Sequence, residues 1–328
     1  MTNPKRPNFN DILDAQAKLS GKAIRTPLLE NAKLNDLTGG RVFLKPEVLQ
    51  HTGSFKFRGA YNFICRLDKK QKTQGLVSYS SGNHAQGVAY AAKLLGAKAT
   101  IIMPSDAPII KINNTREFGA EVILYDRFCE DREAIGNKII TDTGAILIPP
   151  YDHPFIIAGQ GTCGLEIIEQ VKKLNVELDG VVICCGGGGL TSGAALAIKE
   201  LSPLTKVYSA EPEGFDDTAR SLVKGQRVSV SPDARSICDA VLTPTPGKMT
   251  FSINHDLIER GLVVSDDEVR RAVKFAFNTL KLVVEPGGAV ALACILHQKI
   301  ETKNKAIALT LSGGNVDSSR FLECLEIN

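Results

Sequence analysis

The chain has 328 residues, 43% of them hydrophobic and 23% charged, and its 39 basic and 36 acidic side chains leave a net charge of +3. So small a surplus spreads too thinly for nucleic acid to be the main partner, and no stretch supplies the roughly 18 uninterrupted apolar residues of a membrane span. The length exceeds the roughly 250 to 300 residues at which one core stops growing, so two associated domains are expected. The amino terminus shows no apolar segment of signal-peptide length. The eight cysteines sit in apolar runs without repeated ligand spacing, so a cytoplasmic protein with reduced, packing thiols is expected, Cys184-Cys185 included.

Short apolar runs alternate with longer helical patterns along the chain, which predicts an α/β fold built on parallel sheet. The first functional signal is Ser54-Phe55-Lys56-Phe57-Arg58-Gly59, where a lysine stands between two aromatic rings. Desolvation there lowers an ammonium pKa and suits the amine to nucleophilic attack or a Schiff base. The run Asp68-Lys69-Lys70-Gln71-Lys72 reads as a solvated helix end. A strand over 75–79 leads into Ser80-Ser81-Gly82-Asn83-His84, whose short polar groups suit a carboxylate or a ring hydroxyl at a helix start. The helix is expected over 83–95, from the stripe Ala85, Val88, Ala89, Ala92, Leu95. His84 reads as a structural hydrogen-bonder.

Strands are expected next at 99–103, 121–125 and 180–185, the last running into Gly186-Gly187-Gly188-Gly189. Four bare glycines after a strand let the backbone curl round a phosphate, with Thr191 and Ser192 as added hydroxyl donors. The run lacks the Walker lysine and the dinucleotide spacing. A strand at 206–210 precedes Glu211-Pro212-Glu213-Gly214-Phe215-Asp216-Asp217, where two carboxylates and a carbonyl suit a hard cation. Residues 227–246 read as irregular structure, and a strand at 306–311 leads into Ser312-Gly313-Gly314-Asn315. Three polar or glycine-rich turns after strands point to one crevice outside their carboxyl ends.

Taken in order, SFKFRGA, SSGNHAQG, PPYDHPFIIAGQGT, GGGGL, VVEPGGAV and SGGNVD resemble the fold-type II (tryptophan synthase β-like) pyridoxal phosphate enzymes, within the threonine/serine dehydratase and serine racemase group, which includes threo-3-hydroxyaspartate ammonia-lyases. The resemblance spans nearly the whole chain. It implies two open parallel-sheet domains with the cofactor between them, 1–52 plus 148–328 forming the large domain and 53–147 a small mobile one. It implies that Lys56 forms the Schiff base with pyridoxal 5'-phosphate, that Gly186, Gly187, Gly188 and Gly189 hold the phosphate, that Asn83 bonds the ring hydroxyl, that Ser312 faces the pyridine nitrogen and that Phe55 packs on the ring. Substrate would lie against Ser80, Ser81, Gly82, Asn83 and His84. The same resemblance places magnesium or calcium on Glu211, Phe215 and Asp217, and implies a homodimer. A carboxyl-terminal regulatory domain is not expected, since the chain ends soon after Asp317.

A hydroxyl at position 312 cannot keep the ring nitrogen protonated as a carboxylate would, which suits β-elimination better than transamination. The expected activity is deamination of a β-hydroxy amino acid, L-threonine or L-serine, to a 2-oxo acid and ammonia, with Lys56 taking the Cα proton. In the racemase-like branch a serine at position 81 exchanges a proton on the opposite ring face. Hydroxyaspartate lyase and serine racemase are the near alternatives, and an arginine from the Asp126-Arg127 or Asp131-Arg132 pair reaching the pocket would favour a dicarboxylic substrate. An NAD-binding oxidoreductase is the distant alternative.

Overall fold

The computed structural model describes residues 5–127 and 129–327. Its ten strands are β1 (Leu29–Glu30), β2 (Arg41–Pro46), β3 (Leu76–Tyr79), β4 (Ala99–Pro104), β5 (Glu121–Tyr125), β6 (Ile146–Leu147), β7 (Gly180–Cys184), β8 (Lys206–Pro212), β9 (Arg260–Val264) and β10 (Ala306–Leu311). They form a six-stranded sheet in the order β1-β2-β10-β7-β8-β9 and a four-stranded sheet in the order β5-β4-β3-β6. Every pairing is parallel except that of β1 with β2. Helices cover both faces of the larger sheet, so β7 is buried at all five positions and reads as a continuous apolar run.

The expected strands all form, with ends shifted by a residue or two. Gly75 lies outside β3 because its left-handed φ of 92° ends the preceding helix Lys69–Gln74, which Asp68 caps through the amide of Gln71. That helix has no buried residue, as a solvated end should. β8 continues two residues past the expected Ala210, because its pairing with β9 extends to Pro212. Residues 227–246 are irregular apart from one short turn of 3₁₀ helix, Asp239–Val241.

Two helices meet backbone to backbone beneath the larger sheet. A Cβ on Gly193 of helix Gly189–Leu201 would lie 2.2 Å from the carbonyl oxygen of Ile157, and one on Gly164 of helix Pro154–Lys173 would lie 2.6 Å from the Cα of Ala194. No side chain fits there. This contact fixes the start of helix Gly189–Leu201, and hence the glycine turn, against residues 150–157.

A second fixture is ionic. Arg58, on helix Lys56–Ile64, is fully buried and pairs with Glu47 (2.7 Å) and Glu166 (2.8 Å), while Lys45 reaches Glu166 at 2.7 Å. Thr26 donates to Glu47, and Lys45 also donates to the carbonyl of Thr26 and to Gln170. Two cations and two carboxylates thus form a neutral group with its hydrogen bonds satisfied, the condition under which burial of charge is tolerated. Glu47→Ala should leave Arg58 and Lys45 sharing the single carboxylate of Glu166, one buried positive charge uncompensated, and cost about 3 to 5 kcal/mol, read as a fall in the urea midpoint. Glu259→Ala, which removes a surface pair with Lys206, should leave that midpoint unchanged.

Candidate active site

Three strand ends meet at one cavity of about 410 Å³. The turn after β3 brings Ser80, Ser81, Gly82, Asn83 and His84; the turn after β7 brings Gly186, Gly187, Gly188 and Gly189; the end of β10 brings Ser312; Phe55 and Lys56 complete the wall. Phe55 is held there because its amide donates to the carbonyl of Ser312 (3.2 Å), beside the bridge between Ser54 and Gly313.

Lys56 opens its helix with the side chain partly buried in the cavity wall and no carboxylate at hand. Its Nζ donates to the carbonyl of Pro150 (2.9 Å) and lies 5.2 Å from the centre of the Phe55 ring. Burial lowers its pKa from 10.5 to about 8, which brings a useful fraction of free amine near neutral pH. His84 is held as a neutral ring: burial first, and then the charge of Lys56, push its pKa to about 3. Its Nε2 donates to the carbonyl of Ile148 (3.1 Å), a structural bond.

Asn83 is tied on both sides. Its amide nitrogen donates to Glu285 and its oxygen accepts from Asn315 (2.9 Å). It does not cap its helix; Gly82 occupies the cap position and offers no side chain, so the capping role open to this turn is not taken. Glu285 also accepts from the buried Lys111 (2.8 Å), which reaches Asp239 at 2.6 Å. Burial works against the charge of Lys111, but the two carboxylates outweigh it and raise its pKa. Lys111 comes from the helix Ile109–Glu117 beside the smaller sheet, its partners from the larger one, so an ion pair closes the cleft across the cavity wall.

The glycine turn is shaped as a cradle. Gly188 takes a left-handed φ of 90°, and a Cβ on Gly187 would lie 2.3 Å from the ring of Tyr151. Behind the turn, helix Gly189–Leu201 presents amides that lack intrahelical acceptors, and the hydroxyl of Thr191 in its first turn is buried without a partner. These features fit a phosphate. Ser192 is not free to help: its hydroxyl donates to the carbonyl of Gly188 at 2.7 Å. Cys184 and Cys185 are buried, and burial raises both thiols well away from reactivity, in keeping with packing.

Tyr151, Asp152, Lys111 and Asp239, which no sequence expectation names as site residues, also line the cavity, as does Arg132 of the Asp131-Arg132 pair. Tyr151 and Asp152 lie inside PPYDHP, and Lys111 is a lysine among isoleucines, which was the available signal. Glu211 and Asp217 stand apart from the cavity. Glu211 is buried, its two oxygens accepting from the amides of Thr218 (2.9 Å) and Ala219 (2.7 Å). Asp217 is buried with neither carboxylate oxygen hydrogen-bonded. Of the nearby acids, Glu213 is exposed and Asp216 pairs with Arg220.

A partly buried lysine without a counter-ion, facing a glycine turn shaped to fit a phosphate between two α/β sheets, is the arrangement of a cofactor-dependent enzyme of the carbonyl-capturing kind. Residues 19–313 match the family described as pyridoxal-phosphate dependent enzyme, and the chain belongs to that family. It is 43% identical over 319 residues to the L-threo-3-hydroxyaspartate ammonia-lyase of Pseudomonas sp, covering 97% of this chain and 98% of the relative. The structure of maize serine racemase superposes with a TM-score of 0.91 at 37% identity, covering 97% of each chain. That of the T.th. threonine deaminase gives 0.89 at 42%, covering 95% of this chain and 99% of that one. The architecture is that of the fold-type II enzymes, and the family match across the glycine turn replaces the dinucleotide alternative.

If burial sets the Lys56 amine as described, capture of pyridoxal phosphate by the apo-protein should speed up with pH and level off above about pH 8. Following the visible absorbance of the bound cofactor in a pH series checks this; continued acceleration toward pH 10 or so would mean an ordinary, solvated lysine.

Proposed function

We propose that this protein is an ammonia-lyase acting on a small β-hydroxy-α-amino acid, and that 3-hydroxyaspartate suits its cavity better than L-serine or L-threonine. The observation that carries the reaction is Lys56, desolvated and uncompensated, opposite a glycine cradle and beside a serine where a carboxylate would stabilise stored negative charge. In this reading Gly186, Gly187, Gly188, Gly189 and Thr191 hold the phosphate, Asn83 meets the ring hydroxyl, Ser312 faces the ring nitrogen and Phe55 packs on the ring. Bound at Lys56, pyridoxal phosphate supplies an electron sink conjugated to the substrate Cα.

Lys56, once the substrate amine has taken its place, is the base for the Cα proton. The neutral hydroxyl of Ser312 favours departure of the β-hydroxyl together with that proton. The released enamine hydrolyses to a 2-oxo acid and ammonia. Half-buried Ser81 on the cavity wall serves as the acid/base of the opposite face, the arrangement a racemase needs. Support for the dicarboxylate comes from Arg132. It lines the cavity, stacks on the Tyr79 ring at 5.2 Å and makes no ion pair among the described residues, so a substrate β-carboxylate would find a free guanidinium.

The test measures 2-oxo acid release from L-threo-3-hydroxyaspartate, L-serine and L-threonine. Lys56→Ala should release none while keeping its fold, and turnover at wild-type rate would sink the reaction assignment. Arg132→Leu should raise KM for hydroxyaspartate roughly tenfold or more and change serine little, the size expected for one charge-assisted contact. Equal effects on all three would overturn the substrate choice alone. Ser81→Ala should keep elimination and lose any inversion of serine, read by chiral analysis.

We also propose a divalent cation, magnesium or calcium, on Glu211, Asp217 and the carbonyl of Phe215. The support is a pair of buried carboxylates, one without any hydrogen bond, which suits a hard cation. Burial pushes the Asp217 pKa up to about 7, and burial together with Asp217 raises Glu211. A carboxyl raised in the folded state contributes stability below its unfolded value of about 4 and loses it as pH climbs through about 7. A bound cation favours the ionised form and offsets that loss. The rise in melting temperature on replacing chelator with magnesium should therefore be larger at about pH 8 than at about pH 5.5, and Asp217→Asn should abolish the difference. A variant that keeps the wild-type, pH-dependent rise would leave only an acidic loop.

A further inference from the structure

The loop that touches Lys56 is held from an unexpected direction. Asp152 lies two residues beyond Pro150, whose carbonyl receives the Lys56 amine, and next to Tyr151, whose ring covers Gly187. Its carboxylate accepts three backbone amides of helix Lys248–Leu257: Lys248 at 2.9 Å on one oxygen, and Met249 at 2.9 Å and Thr250 at 3.0 Å on the other. That helix starts at Gly247 with no side-chain cap of its own. Asp152 therefore caps it from 96 residues away, in the position where a negative charge is most favoured by the helix dipole. The approach is close enough that a Cβ on Gly247 would lie 2.4 Å from an Asp152 oxygen.

The capped helix returns the contact to the cavity. Thr250 donates its hydroxyl to the carbonyl of Gly187 (2.7 Å), and the Ser192 hydroxyl, bonded to Gly188, packs against the Thr250 carbonyl (3.2 Å) and the Asn254 side-chain oxygen (3.0 Å). Loop, helix and glycine turn thus form a closed circuit in which every member is fixed by the next. We propose that Asp152 is a positioning residue for both ends of the cofactor site, holding the Pro150 carbonyl on Lys56 and the Tyr151 ring on the phosphate cradle through its cap of helix Lys248–Leu257. It touches neither the lysine nor the turn, and acts through its neighbours. The inference rests on the family's cofactor and is independent of which amino acid is deaminated.

The experiment compares wild type, Asp152→Ala, Asp152→Asn and Thr250→Val, each prepared with pyridoxal phosphate and then resolved for rebinding. Asp152→Ala should weaken cofactor binding roughly tenfold, the scale of a lost charged cap passed on to the site. It should also shift the pH midpoint of cofactor capture upward from about 8, because the freed loop lets water reach Lys56. His84, neutral on the carbonyl of Ile148, is the titratable group facing Lys56 and does not charge in that range. Asp152→Asn keeps an acceptor oxygen and should fall between, which preserves the test if the alanine variant fails to fold. Thr250→Val should weaken cofactor binding without moving the midpoint. A lower melting temperature with cofactor affinity and midpoint unchanged in both Asp152 variants would overturn the inference, leaving the residue a helix cap and nothing more. Wild type that captures no cofactor would overturn the cofactor assignment itself.

Discussion

The buried pairing of Arg58 with Glu47 and Glu166 is the interaction on which the site depends. Successive helical residues turn by about 100°, so Lys56 and Arg58, two apart, face nearly opposite directions. One side of the helix therefore carries a lysine stripped of any counter-ion, and the other carries an arginine with two. A desolvated amine without a counter-ion pushes its own helix toward water. The ion group behind it pulls the other way, joining that helix to the segment before it and to helix Pro154–Lys173. Reactivity at position 56 and saturation at position 58 are two halves of one arrangement.

Glycine does the corresponding work at the turn after β7. Contact between helices Pro154–Lys173 and Gly189–Leu201 is so close that backbone meets backbone, which sets the glycine turn with little freedom to drift. The turn is then roofed by Tyr151 and buttressed by Thr250, so a flexible sequence is made rigid by what surrounds it. Preorganisation of this kind lets a cradle bind without first ordering itself.

Much of this could be read from the chain because its signals are local. Apolar runs ending in glycine or serine mark β3, β7 and β10, and the residues that follow them converge on the cavity as the alternation of strand and helix requires. What escaped depends on distance along the chain. Nothing beside Asp152 in the chain points to helix Lys248–Leu257, and nothing beside Lys111 points to Glu285, 174 residues away. Ser192 departs from its expected role for the opposite reason. Its place at a helix start suggested a free donor, but the carbonyl four residues back was within reach. The short edge strand β1 and the strand β9 gave no clear pattern, being two residues long in one case and half-exposed in the other.

The bond from Lys111 to Asp239 and Glu285 has a bearing on how far the two sheets can be treated as interchangeable parts. Each contributes half of a charge balance that neither completes: the cation rides with the smaller sheet, and both anions with the larger. Gly82 adds a steric share, since a side chain there would run into the stem of Lys111. A chimera that borrowed the smaller sheet and helix Ile109–Glu117 from a relative without that lysine would leave two carboxylates facing each other across an empty seat, with Asn83 hanging from one of them. In this molecule the unit of inheritance is the seam, not the lobe.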